Sequence, residues 1–300
     1  MEAAGLAAGP QRRKSAGRRL ADFFHGHRWR QVAALLALPL AWLVVGYLGS
    51  LFGMLISAFW SVDPLSGKLI KTLTLDNFNE LRSTSVYHTI AFRTIGIAAT
   101  VTVTDAVIAF PIAFYMAKIA SPSGKGALIV AVLMPLWSFY LVKVYAWQTM
   151  LATGGVIDWA LNPIGLSSPG YGTTSIWLVE SYLWLPYMVL PIYAGLERIP
   201  DTLLSASEDL GAKPFRTFRR VILPLAFPAV VAGSIFTFSL TLGDYITPSI
   251  ISPSTQFIGN VVFTQHTNNL PLASAFATVP IVVMVIYLLI ARRLGAFEHL

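Results

Sequence analysis

Four ionisable residues stand inside runs that are otherwise apolar: Asp105, Lys143, Glu180 and Asp244. A charge within a membrane span is costly, so each is a functional candidate by default. Trp177, Glu180, Trp184 and Tyr187 recur at spacings of three, four and three, which puts them on one helix face. Trp137, Tyr140, Lys143 and Trp147 line one side of the preceding run in the same way. Asp244 is followed by Tyr245 and has no basic residue near it in the sequence. Carboxylates beside aromatic faces suit an organic cation, held by charge and cation–π attraction. Asp244, Glu180, Trp184, Tyr187 and Tyr245 are the candidate cation path. A structural reading competes with it: Lys143 can pair with Glu180 at similar depth, and the rings can form an interfacial belt.

Other chemistries find little support. The chain has no cysteine, which excludes disulfide, thiol and iron–sulfur chemistry. Gly124-Lys125 lacks the first Gly of a P-loop and the Ser or Thr that follows it. No HExxH or GxSxG occurs, and His25 and His27, two apart, point to different helix faces. No metal, cofactor or catalytic group is expected in this chain.

The elements that must position these residues are membrane spans. Of the 300 residues, 55% are hydrophobic and 12% charged, and the mean hydropathy is +0.66, values outside the soluble globular range. Six apolar runs approach the ~20 residues a span needs: Val32–Phe59, Ile90–Met116, Ala127–Leu151, Ser175–Leu196, Leu225–Ile246 and Phe276–Ala291. The predicted fold is an all-α, six-span membrane bundle occupying residues 32–293. A basic cytoplasmic tail, 1–31, precedes it and a short one, 294–300, follows. Aromatics among the bases of the first tail suit anionic lipid. With the N-terminus inside, sixteen of the 21 Lys and Arg fall on the cytoplasmic side, so both termini are predicted there. Prolines inside the runs, Pro111, Pro135, Pro186, Pro191, Pro228 and Pro280 among them, favour kinks, consistent with packing or with a bundle that rocks between states.

One polar island interrupts the apolar pattern, Asp201–Pro224. Asp201 is placed to cap a helix whose face carries Leu203, Ala206, Ser207 and Leu210. Gly211 suits the stop and Pro214 the first turn of a second helix, with Phe215, Phe218 and Ile222 on one side and Arg216, Arg219 and Arg220 on the other. The expectation is a helix–turn–helix with an apolar and a basic face.

This stretch resembles the EAA loop of ABC-importer permeases. The match is Ser205-Ala206-Ser207, then Gly211, then Ile222-Leu223-Pro224. It departs where the family has Glu, here Ser205, and a second Ala, here Ser207; Glu208 and Asp209 keep acid nearby. The flanking EDLGAKPFRTFRRVILPLAFPAVVAG and LGDYITP look like spermidine/putrescine-type permeases, and the resemblance runs from about Leu73 to Arg293. It implies a type I importer permease in the bacterial inner membrane, with a coupling loop over about 201–224. Leu204, Ser205, Ala206, Ser207, Glu208, Asp209, Leu210, Gly211, Ala212, Pro214, Phe215 and Phe218 would meet an ATPase. The implied partners are a second homologous permease, an ATPase dimer that binds ATP and Mg, and an external substrate-binding protein. The implied substrate is a polyamine. The alternatives are another small solute in a related importer, or an ATP-independent channel or carrier.

Overall fold

The structure, a computed structural model, describes residues 28–63 and 65–294. The reading of most of the basic tail, of His25 and His27, and of nearly all the C-terminal tail lies outside them. The chain divides into two units, Met1–Ile56 and Ser57–Leu300.

In the first unit, α1 (Arg28–Ala41) passes through a π-helical segment, Trp42–Leu48, into α2 (Gly49–Ser57). Leu35–Ser57 is apolar and long enough to cross a membrane.

The second unit opens with a short antiparallel pair, β1 (Ser61–Val62) and β2 (Leu69–Ile70). A short polar helix, α3 (Asp76–Ser83), follows. Then come α4 (Ser85–Phe114) with a π-helical end (Tyr115–Ile119), α5 (Pro122–Trp137), α6 (Tyr140–Leu151), α7 (Val156–Leu161) and α8 (Thr173–Glu197). The polar island gives α9 (Asp201–Asp209) and α10 (Pro214–Thr217), the latter running through Phe218–Ile222 into α11 (Leu223–Gly243). The chain ends with α12 (Ile246–Ile251), α13 (Ile258–Asn268) and α14 (Leu270–Arg293). Five helical stretches among the described residues are long and apolar enough to span, or six if the bent pair α5–α6 is counted as one span. The fold is an all-α polytopic membrane fold.

Three helices, α4, α8 and α11, pack mutually and form the core that carries Asp105 and Glu180. Small residues let them close. A Cβ at Gly233 of α11 would stand 2.8 Å from the Met188 sulfur of α8 and 3.3 Å from that residue's carbonyl oxygen. At the end next to the polar island pack Met116, Met188, Ile192, Leu196, Ile222 and Ala226, all buried.

Three expectations are corrected. The third run is two helices crossing at 90°, with the break at Ser138-Phe139. Its cause is local to Pro135. The Ser138 hydroxyl and the Lys143 ammonium both donate to the Pro135 carbonyl, each at 2.9 Å, so that acceptor is satisfied without continuing the helix. Trp137 and Tyr140 therefore do not line one continuous helix. The fifth run leaves its helix at Gly243, and Asp244 is extended with φ −72° and ψ 127°. The second helix of the polar island is the start of that same 30-residue stretch, Pro214–Gly243.

Candidate coupling surface and intramembrane carboxylates

The polar island is built as its sequence implies at the turn. Gly211 has φ +74°, a left-handed conformation that side chains disfavour. Its N–H reaches the Glu208 carbonyl at 2.8 Å, and the Ala212 N–H reaches Ser207 at 3.1 Å. That pair of bonds is a Schellman end, which satisfies two carbonyls of α9. Pro214 takes the first position of α10, where its missing N–H costs nothing.

Asp201 differs from its expected role. It does not cap α9; Pro200 stands at that position, and no side chain closes the helix start. Asp201 instead pairs with Lys118, Nζ to Oδ1 at 2.8 Å, and Lys118 also donates to the Ile199 carbonyl at 2.6 Å. The hydrogen bond and charge of Lys118 hold the Asp201 carboxyl below the usual carboxylate range. A second tie, Lys125 to Glu197 at 3.5 Å, is looser.

The loop has an anchored and an open side. Leu204 packs on the inner core cluster, and Phe218 meets Phe110 edge to face at 5.5 Å. Ile222 and Thr217 are buried. The hydroxyls of Ser207 and Thr217 lie 2.9 Å apart and pin the two helices together. Sequence reasoning missed Thr217 and Lys118, since neither bond is local to its own helix. On the open side Leu210 is 88% and Phe215 73% exposed. Ser205, Ala206, Glu208, Asp209 and Pro214 are also exposed, and Ala212 is half-buried. The Ser205 hydroxyl turns back to the Asp201 carbonyl at 3.2 Å.

In the bundle the carboxylates fall into two kinds. Asp244 is satisfied by its own chain. One oxygen accepts from the N–H groups of Ile246 and Thr247, at 2.8 and 3.2 Å. The other accepts from the Thr247 hydroxyl at 2.6 Å and from the Tyr140 hydroxyl. It thus holds the start of α12 and ties it to α6. Glu180 and Asp105 are both fully buried, and none of their four oxygens has a hydrogen-bond partner. The expected Lys143–Glu180 pair does not form, because Lys143 is spent on Pro135. Asp244 and Asp105 both lie close enough to act on the Glu180 charge.

The aromatic candidates separate. Trp184 stacks on Tyr140 with centroids 5.9 Å apart and meets Tyr187 at 6.0 Å. These rings, with Trp137, Phe139 and Lys143, line a cavity of about 510 Å³ beside the helix break. Tyr245 stacks instead on Phe263 at 4.7 Å and faces another cavity, of about 440 Å³. Trp177 donates to the Thr104 hydroxyl at 3.0 Å. The structure therefore gathers Tyr140, Trp184 and Tyr187, ties Tyr140 to Asp244, keeps Glu180 on the same helix as the two latter rings but buried away from the cavity lining, and leaves Tyr245 apart.

Residues 33–296 match the family described as "Binding-protein-dependent transport system inner membrane component". The chain is 42% identical over 299 residues to "Inner membrane ABC transporter permease protein YdcU" of Escherichia coli, covering 94% of this chain and 95% of that protein. It is 28% identical over 228 residues to "Spermidine/putrescine transport system permease protein PotB" of Haemophilus influenzae, covering 74% and 79%. Among solved structures, a bacterial ABC transporter that imports the acidic polysaccharide alginate has a chain with TM-score 0.64 at 17% identity, covering 92% of this chain and 99% of that one. At that identity the likeness is one of fold.

Proposed function

Because the chain belongs to the family of binding-protein-dependent transport system inner membrane components, and is thus a permease of an ABC importer, we propose that its substrate is a polyamine cation. The relatives of the spermidine/putrescine type support that class. So does a buried carboxylate, Glu180, without a hydrogen-bond partner, on the helix that also carries Trp184 and Tyr187. Asp244 and Tyr245 would stand toward the outer end of the path, Asp244 chiefly as the residue that shapes it.

The observation that carries the coupling role is the attachment of the polar island. Helix α9 follows α8, which bears Glu180, after only three residues, and Asp201 is ion-paired to Lys118 at the end of α4, which bears Asp105. A push on the exposed Leu210–Phe215 face is therefore delivered to both carboxylate-bearing helices. We assign that face to an ATPase dimer, which would bind ATP and Mg and perform the hydrolysis. This chain would supply no catalytic group. A second homologous permease would complete the path, and an external binding protein would deliver the substrate. In this arrangement both termini and the coupling loop lie in the cytoplasm of a cell whose inner membrane the chain spans. The domain boundaries we propose are the tail 1–31, the bundle 32–293 and the tail 294–300.

The test is uptake by the reconstituted importer, with putrescine, spermidine and neutral solutes in competition. The proposal expects saturable polyamine uptake that the neutral solutes do not inhibit. Preference for a neutral solute would leave the permease and remove the polyamine.

A further inference from the structure

Asp105 has no role in the site read from the sequence, yet it is the more anomalous carboxylate. It sits midway along α4, fully buried, with neither oxygen hydrogen-bonded. Facing it from α8 is Ser181, buried and likewise without a hydrogen-bond partner; it lies close enough to act on Asp105, but the bond is not closed. Beside Ser181 is Glu180, whose charge Asp105 opposes. Two mutually repelling carboxylates and an idle hydroxyl, sealed between packed helices, are expensive in any apolar medium. Among the described residues no base lies in this cluster: Lys143 is on Pro135 and Lys118 on Asp201.

We propose that Asp105, Ser181 and Glu180 form a cation subsite in the middle of the bundle, and that its ligand is a primary ammonium group of the transported polyamine. The proposal rests on the polyamine reading above and adds a binding step inside the membrane to it. The chemistry matches in number. An ammonium offers three donors and no acceptor, and the three side chains offer acceptors only where they are now unpaired. A divalent metal fits less well, since among the described residues no three His, Cys, Asp or Glu side chains converge closely enough to hold one. The site is closed in this conformation, so ligand enters when α4 and α8 part. The same two helices are those tied to the coupling loop through Lys118–Asp201 and through the short α8–α9 link. Closure on an empty site leaves the two carboxyls either protonated or as buried like charges; closure on a cation lets them ionise against it. The subsite thereby favours cycles that carry substrate.

The experiment is direct binding of radiolabelled spermidine to the full chain in lipid nanodiscs, alongside thermal unfolding and uptake by the assembled importer. Asp105→Asn keeps shape and removes charge. Binding is expected to weaken at least about tenfold, uptake to slow, and the melting temperature to hold or rise, because an unpaired buried charge has gone. Ser181→Ala is expected to weaken binding by less, with the fold unchanged. Trp159→Leu, on exposed α7, serves as the control that leaves all three readings in place. Spermidine binding and uptake by Asp105→Asn equal to the parent would overturn the subsite, since a carboxyl that merely carries a proton is replaced by Asn without loss. A large fall in melting temperature, with uptake falling only as assembled permease is lost, would also overturn it and make Asp105 a packing residue. If the parent importer moves no polyamine at all, the polyamine reading fails first, and the subsite falls with it.

Discussion

Replacement of Gly211 tests the coupling turn at its most demanding position. At φ +74° any L side chain pays for the left-handed conformation, by about 1–2 kcal/mol, and a β-branched one pays more. Nothing lies within 4 Å of the position a Cβ would take, so crowding adds nothing and the cost is one of backbone alone. A penalty of about 1–2 kcal/mol lowers the population of the turn roughly five- to thirtyfold against its alternatives. Leaving the turn also breaks the Gly211–Glu208 and Ala212–Ser207 bonds, which close the end of α9 and so set the path of the exposed Leu210–Phe215 stretch. The order of effect should therefore be Val worst, Ala intermediate and Asn nearest the parent, because Asn tolerates the left-handed region. The assay is ATP hydrolysis and polyamine uptake measured together in proteoliposomes. Gly211→Val is expected to insert at parental levels, with uptake per ATP sharply reduced, and Gly211→Asn to retain most of the coupling. An order that follows side-chain size, with Asn worse than Ala, would refute the backbone argument. A fully coupled Val variant would refute the role of the turn.

Other expectations follow from the same structure. Gly233→Val should force α11 away from α8, since even a Cβ would meet Met188 at 2.8 Å, and should destabilise the bundle by about 1–3 kcal/mol, read by thermal unfolding in detergent. The Asp158 carboxyl, held low by the N–H groups of Ser168 and Gly154, should stabilise its loop at neutral pH. Because the folded value is depressed, that contribution is full above the usual carboxylate range and is lost progressively as pH falls from there through the lower folded value, with hydrogen exchange at Gly154 and Ser168 as the readout. A single cysteine at exposed Ser254 should label from outside intact cells and one at exposed Ser205 should not; the reverse would invert the topology. Lys143→Met should leave Glu180 untouched but loosen the α5–α6 bend, seen as altered proteolysis around Ser138 rather than as lost cation binding.

What the sequence made legible was local. The apolar runs, the stop at Gly211 and the start at Pro214 each depend on neighbours within a few positions. The break in the third run was not legible, because Pro135 is one of seven prolines in such runs and α8 continues through Pro186 and Pro191. What differs is the capture of the Pro135 carbonyl by Ser138 and Lys143, which hydropathy does not register. The same capture removed Lys143 from Glu180. Asp244 looked like an unpaired charge because its partners are backbone N–H groups and a tyrosine 104 positions away. Helix periodicity put Trp184 and Tyr187 on one face, and their rings do meet, 6.0 Å apart. Asp105 needed the packing of α4 on α8 before its isolation could be seen.

The account turns on one claim, that work delivered at the polar island reaches a cation path between the helices it is tied to. The most direct measurement is spermidine uptake into proteoliposomes holding the permease, its partner subunits and binding protein, with ATP supplied on the ATPase side. Uptake that requires ATP, and that the Gly211→Val chain loses while its partners still hydrolyse ATP, is the predicted result. Spermidine movement through this chain without ATP, or uptake indifferent to Gly211, would contradict it.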